Sequence, residues 1–229
     1  MHPVYASLGY RIWIVIERFL AILALGCLLP LFVVLYFAVR FTSRGPFLYS
    51  QMRPGLRGKD FKIWKIRTMA VGSDRDVMNA MAVQKNNPQV TKVGKILREL
   101  KIDELPQLWN VVCGQMELVG PRPIAGALHE KLLSDIPGFA ARDTVRPGLT
   151  NLGQITILDN QEASRVKEDW NVRFEGECHY LQNKSVSYDI ILLVLTVVFI
   201  LRKVFSKLRR KRAASPATES AATAARSPS

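Results

Sequence analysis

From Phe19 to Val39 the chain reads "FLAILALGCLLPLFVVLYFAV", 21 consecutive positions without a charge. No other feature restricts the fold as much, because such a run is long enough to cross a hydrocarbon layer of about 30 Å. Glu17 and Arg18 precede it, and no small-residue cleavage site follows before "VRFTSRG". It therefore reads as a retained membrane helix, not as a cleaved signal peptide. Pro30 lies at its middle, where it removes a helical hydrogen bond and crowds the preceding turn. Two topologies satisfy these facts: a bent span, or a helix that enters, breaks at the proline and returns to its own side. Composition does not separate them. The basic residues that follow, Arg40, Arg44, Arg53, Arg57 and Lys59, assign the main domain to the cytoplasmic side.

The other end of the chain holds "YDIILLVLTVVFILRKVFSKLRRKR". Ile190 to Leu201 is apolar apart from Thr196, which is short for a span and suits a buried or interfacial helix. Seven of the eleven residues from Arg202 to Arg212 are Lys or Arg, and without them the net charge would fall from +13 to +6. A basic run directly behind an apolar helix points to anionic lipid rather than nucleic acid. The final "AASPATESAATAARSPS" is low-complexity and reads as a disordered tail over 213–229.

Cys27, Cys113 and Cys178 have neither paired nor metal-like spacing, as expected of reduced thiols in a cytoplasmic setting. His2, His129 and His179 are equally scattered, so no His-based zinc site is expected.

Chemistry is expected in residues 41–184. "FLYSQM" and "FKIWKIRTM" read as two strands around the turn-rich "RPGLRGKD", a β-hairpin. "TKVGKILREL" reads as a helix capped by Thr91, with Val93, Ile96, Leu97 and Leu100 on one stripe. Then comes "KIDELPQLWN", two adjacent carboxylates before a Leu-Pro in a strongly basic chain. Its structural reading is a helix start, with Asp103 as N-cap and Pro106 in the first turn. Leu105, Leu108, Trp109 and Val112 would form its apolar stripe. The dipole would keep the carboxylates ionised. Arg122 of "VGPRP" and Arg146 of "VRPGLT" sit beside prolines that fix their direction, as planar forks suited to phosphate oxygens. Neighbouring helical residues point about 100° apart, so Asp103 and Glu104 would take separate roles, one a nucleophile and the other a Mg²⁺ ligand.

Three stretches, "GPFLYSQMRPGLRGKDFKIWKIRTM", "TKVGKILRELKIDELPQLWNVVCGQMELVGPRP" and "VRPGLT", resemble in order and spacing the bacterial sugar transferases, or monotopic phosphoglycosyl transferases. The resemblance covers roughly residues 15–182 and is most specific from Lys92 to Pro123. It implies transfer of a sugar-1-phosphate from a nucleotide sugar, a UDP-sugar, to polyprenyl (undecaprenyl) phosphate. The product UMP is released and a bacterial surface glycan begun. It implies that Asp103 is the nucleophile of a phosphosugar-aspartyl intermediate, that Glu104 binds Mg²⁺, and that Arg98, Arg122 and Arg146 grip phosphate, with Lys65 and Arg67 added to that set. It further implies a re-entrant helix broken at Pro30 and an interfacial C-terminal helix.

The expected architecture is α+β, mostly helical with a small β-hairpin and membrane-associated. Residues 1–40 would form the N-terminal segment with its membrane helix, 41–184 the catalytic domain, and 185–212 an amphipathic helix with a polybasic stretch. The expected partners are the UDP-sugar, the polyprenyl phosphate and membrane lipid, without nucleic acid. A second copy or other glycan-assembly enzymes are open as protein partners. The expected location is the cytoplasmic face of the bacterial inner membrane. The sequence departs from the family pattern in four places. Leu29 stands where Ser usually precedes the proline, and "IVIERF" replaces a Lys-Arg-x-x-Asp entry. "NLGQITILDN" lacks an arginine, and Glu177 stands where Asp is usual. The alternative reading, a catalytically degenerate membrane-tethered scaffold, rests on the altered segment 151–177.

Overall fold

The structure is a computed structural model that describes residues 2–70, 88–151, 153, 166–202 and 206. Helix α1, Leu8–Thr42, contains the whole uncharged run and is long and apolar enough to cross a membrane. Pro30 lies inside it, and the helix continues through. This corrects the expectation of a break at Pro30. The physical reason is packing on both flanks of the proline. Ala21, Ala24, Leu25 and Leu28 pack against Phe61, Leu108, Val111 and Met116. Leu31, Phe32, Leu35 and Val39 pack against Ile66 and Leu97. With both halves docked on one body, the backbone stays helical although the proline leaves the Gly26 carbonyl without its usual donor.

Strands β1, Leu48–Pro54, and β2, Asp60–Ile66, form the expected antiparallel hairpin, with Tyr49 opposite Lys65 and Arg53 opposite Phe61. Side chains alternate along a strand, so Tyr49, Gln51, Arg53, Phe61, Ile63 and Lys65 share one face. Helix α2, Lys92–Glu99, starts at Thr91, whose hydroxyl accepts from the Gly94 amide at 2.9 Å. Leu97 of its expected stripe is buried, whereas Ile96 faces outward. A 3₁₀ helix, Ile102–Gln107, leads into the short helix α3, Leu108–Val112.

Strand β3, Glu117–Val119, pairs in parallel with β4, Gly148–Thr150, and helix α4, Gly126–Asp135, lies between them in the chain. A Cβ on Gly148 would run into the Gly120 backbone, and one on Gly120 into Arg146 and Gly148, so both loops need glycine where they touch. Helix α5, Val166–Asn183, precedes a further helix, α6, over 186–202. The tail 213–229, and the polybasic stretch apart from Arg202 and Ser206, lie outside the described residues.

The two apolar terminal helices are locked to this body by one buried polar cluster. The Tyr10 hydroxyl lies 3.0 Å from Glu117 and 2.8 Å from Asp189. Lys184, fully buried, donates to Glu117 at 2.9 Å and to the Tyr180 hydroxyl at 2.5 Å. Tyr180 in turn meets Asp189 at 2.8 Å. Buried charges persist when they are paired and hydrogen-bonded in this way. The outer faces remain apolar: Phe19, Leu23, Leu29, Val33, Val34, Phe37 and Phe41 on α1 are exposed, as are Ile191, Val194, Val197 and Leu201 on α6.

Candidate active site

Asp103 and Glu104 do not begin a capped α-helix. Lys101 occupies the N-cap position in left-handed backbone (φ 59°), and the two carboxylates fall in the first turn of the 3₁₀ helix. The correction has a local cause. Lys101 makes the turn between α2 and the 3₁₀ helix, and no side chain caps the latter. Trp109 departs from the expected apolar stripe, being 54 % exposed while Leu108 and Val111 are buried.

Asn110 fastens this segment to the hairpin. Fully buried, its amide nitrogen donates to the Lys62 carbonyl at 2.7 Å, and its oxygen accepts from the Trp64 amide at 3.2 Å. That clamp brings the hairpin face carrying Lys65 and Arg53 toward the carboxylates.

Glu104 is held on several sides. Arg122 donates through both terminal nitrogens, at 2.6 Å to Oε1 and 3.2 Å to Oε2, and Lys65 donates to Oε1 at 2.9 Å. Burial alone would push this carboxyl up, but Arg122 and Lys65 override it and hold it well below the usual carboxylate range. Glu104 is therefore ionised. Asp103, buried to 7 % exposure, is different. Its Oδ1 is buried without a hydrogen-bond partner. Desolvation, helped by the Glu104 charge, pushes its carboxyl up, against the pull of Lys65, Arg98 and Lys101. One neighbour is a clamped anion; the other is a poorly solvated carboxylate facing cations.

Arg98 approaches from α2, with its Nε donating to the Thr68 hydroxyl at 2.7 Å. Burial lowers its pKa, and Asp103 opposes the shift. Arg122 is fixed from behind, because Arg142 donates to its carbonyl at 2.6 Å and also pairs with Glu177 at 3.1 Å. In the sequence Arg53 reads only as one of the charges that set topology. Here its pKa is pushed down to about 10, by burial first and then by Arg122, and its Nε has no hydrogen-bond partner. Strand alternation could have revealed it, since Arg53 and Lys65 share one hairpin face.

Two expected phosphate ligands are committed to the frame instead. Arg67 donates to the Ser43 and Arg44 carbonyls at 2.7 and 2.6 Å, tying down the end of α1. Arg146 pairs with Glu117 at 3.1 Å and lies over the Tyr5 ring. A proline-flanked or strand-borne arginine has a fixed direction, and the sequence does not say toward what; the structure directs these two to the end of α1 and to Glu117. Of the altered segment 151–177, residues 152 and 154–165 lie outside the described residues.

For Mg²⁺, the donor set is hard oxygen: ionised Glu104, whose Oε2 accepts a single long bond, and the unpartnered Asp103 Oδ1. That suits a cation which takes one or two carboxylates and fills its shell with phosphate oxygens and water. Among the described residues no group of three or more His, Cys, Asp or Glu could hold a metal unaided.

Comparison with known proteins places the chain in a family. The profile of the family described as "Bacterial sugar transferase" matches residues 10–203. A Klebsiella pneumoniae protein named UDP-glucose:undecaprenyl-phosphate glucose-1-phosphate transferase is 40% identical over 168 residues, which is 73% of this chain and 35% of that protein. One of the same name from Caulobacter vibrioides is 41% identical over 173 residues, 75% of this chain and 63% of its own. An Aeromonas hydrophila protein named UDP-N-acetylgalactosamine-undecaprenyl-phosphate N-acetylgalactosaminephosphotransferase is 34% identical over 203 residues, 87% of this chain and 45% of its own. The chain thus spans between about a third and just under two thirds of the length of these relatives.

Proposed function

Because the chain belongs to the bacterial sugar transferase family, we propose that it moves a hexose-1-phosphate from a UDP-sugar to undecaprenyl phosphate, with Asp103 as the nucleophile. The observation that carries this reading is the Asp103 carboxylate, buried with one oxygen unpartnered and ringed by Lys65, Arg98 and Lys101.

In the first step an Asp103 carboxylate oxygen attacks the phosphorus that bears the sugar. The bond to the bridging oxygen breaks and UMP leaves with the electron pair. In the second step a phosphate oxygen of the acceptor attacks the same phosphorus, and Asp103 departs as carboxylate. Two displacements let a soluble donor and a lipid acceptor use one site in turn. An anion attacking a diphosphate would be repelled, and the cations Lys65, Arg98, Arg122 and Arg53 offset that repulsion in a partly desolvated setting. Glu104 holds Arg122 and Lys65 in place. It is also the residue that would hold Mg²⁺, which when bound neutralises charge on the phosphates.

Membrane association belongs to the same proposal. Its support is the exposed apolar faces of α1 and α6, with residues on both sides of Pro30, Ala21 and Leu35, packed on one body. From Tyr10 to Val39 a straight helix runs about 44 Å at 1.5 Å per residue. Tyr10 and Val39 both belong to the buried core. A helix crossing about 30 Å of hydrocarbon would separate those ends. We place both on the cytoplasmic face of a bacterial inner membrane, with lipid against the outer surface of the helix.

The test is trapping. Incubation with UDP-glucose or UDP-N-acetylgalactosamine labelled in the sugar, without acceptor, should leave label on the wild-type protein and none on Asp103→Asn. EDTA should stop nucleotide release. Wild-type turnover by Asp103→Asn would remove the nucleophile assignment, and no nucleotide release from any UDP-sugar would leave the scaffold reading.

A further inference from the structure

An apolar groove of about 390 Å³ opens beside the dyad, lined by Leu25, Phe32, Phe47, Leu48, Trp64, Pro106 and Trp109. Pro106 joins it to the reacting residues. In a 3₁₀ helix, side chains three apart eclipse one another, so Pro106 stands directly one turn beyond Asp103, about 6 Å along the axis at 2.0 Å per residue. Leu25 and Phe32 join the groove to α1, on either side of Pro30. At one end, then, are the desolvated carboxylate and its cations, and at the other is the helix with the outward apolar face.

We propose that this groove holds the first isoprene units of the polyprenyl phosphate acceptor. The inference rests on the transferase reading and adds the place and chemistry of acceptor recognition. Three observations favour this occupant. The acceptor is a phosphate covalently attached to an uncharged chain, and the protein sets a cationic site and an uncharged groove one helical turn apart. The volume lies within the roughly 300–1,000 Å³ of small-ligand sites, enough for the head of a long chain whose remainder lies in lipid. Four of the seven lining residues are aromatic. Their faces match the flat alkenes that recur along an isoprenoid and that a saturated acyl chain lacks. Trp109 is the residue best placed to discriminate. More than half exposed on α3, it contributes to the groove wall and not to the core.

The test uses the full chain in vesicles of phosphatidylglycerol and phosphatidylethanolamine. Trp109→Ala is expected to raise the KM for undecaprenyl phosphate at least tenfold, with the KM for the UDP-sugar moving less than threefold. An unchanged acceptor KM, or equal shifts in both, overturns the proposal. A photoreactive benzoylphenylalanine at position 109 should cross-link radiolabelled undecaprenyl phosphate. Unlabelled undecaprenyl phosphate should compete, and a saturated dialkyl phosphate should not. Competition by the saturated lipid at equal concentration, or cross-linking mainly to bulk phospholipid, assigns the groove to the bilayer and overturns the proposal. The cross-link does not depend on turnover. Failure of the transferase reading would show separately, as a wild-type chain that releases no nucleotide.

Discussion

Replacing Asp103 by Asn keeps the shape of the side chain and removes the attacking charge, so UMP release should fall at least about 10³-fold, as for other lost nucleophiles. Asp103→Glu should do little better, because an extra methylene moves the oxygen away from the phosphorus. Both are read by nucleotide release from purified protein. Glu104→Gln acts differently. It removes the partner of Arg122 and Lys65, whose own side chains are about a quarter exposed. We expect a stability loss of about 1–2 kcal/mol in denaturant titration, discounted for solvent near the two cations, together with a large loss of turnover. As a pair, the adjacent carboxylates of "KIDELPQLWN" are legible in the sequence, and the family resemblance is what assigns them the proposed reaction. The division of labour was less so. It depends on Arg122 arriving from eighteen residues downstream and Lys65 from the hairpin, and both are long-range facts. For the same reason the sequence could not show that Arg67 ties down the end of α1 or that Arg146 pairs with Glu117.

At the level of elements, the hairpin and α2 follow from local pattern and their own turn and cap residues, and both stand where the sequence places them. The stretch around the dyad misleads because Lys101, in left-handed backbone, shifts the helix start away from Asp103. Two contacts hold these elements at the site, and each yields a prediction. A Cβ at Gly94 would strike the Thr68 backbone, which cannot rotate away as a side chain could. Gly94→Ala should therefore cost about 1–3 kcal/mol, the usual penalty for overpacking. It should also lower turnover by displacing Arg98 from Thr68. Asn110→Ala removes the clamp between α3 and β2 and leaves the half-buried Trp64 amide without its acceptor. A loss of about 1–3 kcal/mol is expected. Denaturant midpoints with unchanged slopes would check both.

For the molecule as a whole, the docked α1 makes a definite forecast of sidedness. In a chain with Cys27, Cys113 and Cys178 changed to Ser, single cysteines at Ser7 and at Lys59 should react with an impermeant maleimide from the same side of sealed vesicles. Labelling from opposite sides would establish a span. The length and apolarity of α1 were plain in the sequence. That both halves lie against one body was not, because it requires the hairpin, α2 and α3 to converge on it. The feature has a further consequence for biogenesis. If neither end of α1 has to be dragged through oil, no ionised group flanking it is carried across. The protein can then complete its shape in water and settle onto the bilayer afterwards, by wetting one oily flank. Seating α1 would itself need no translocon, and mild detergent would release the folded segment instead of a stranded, unravelled one.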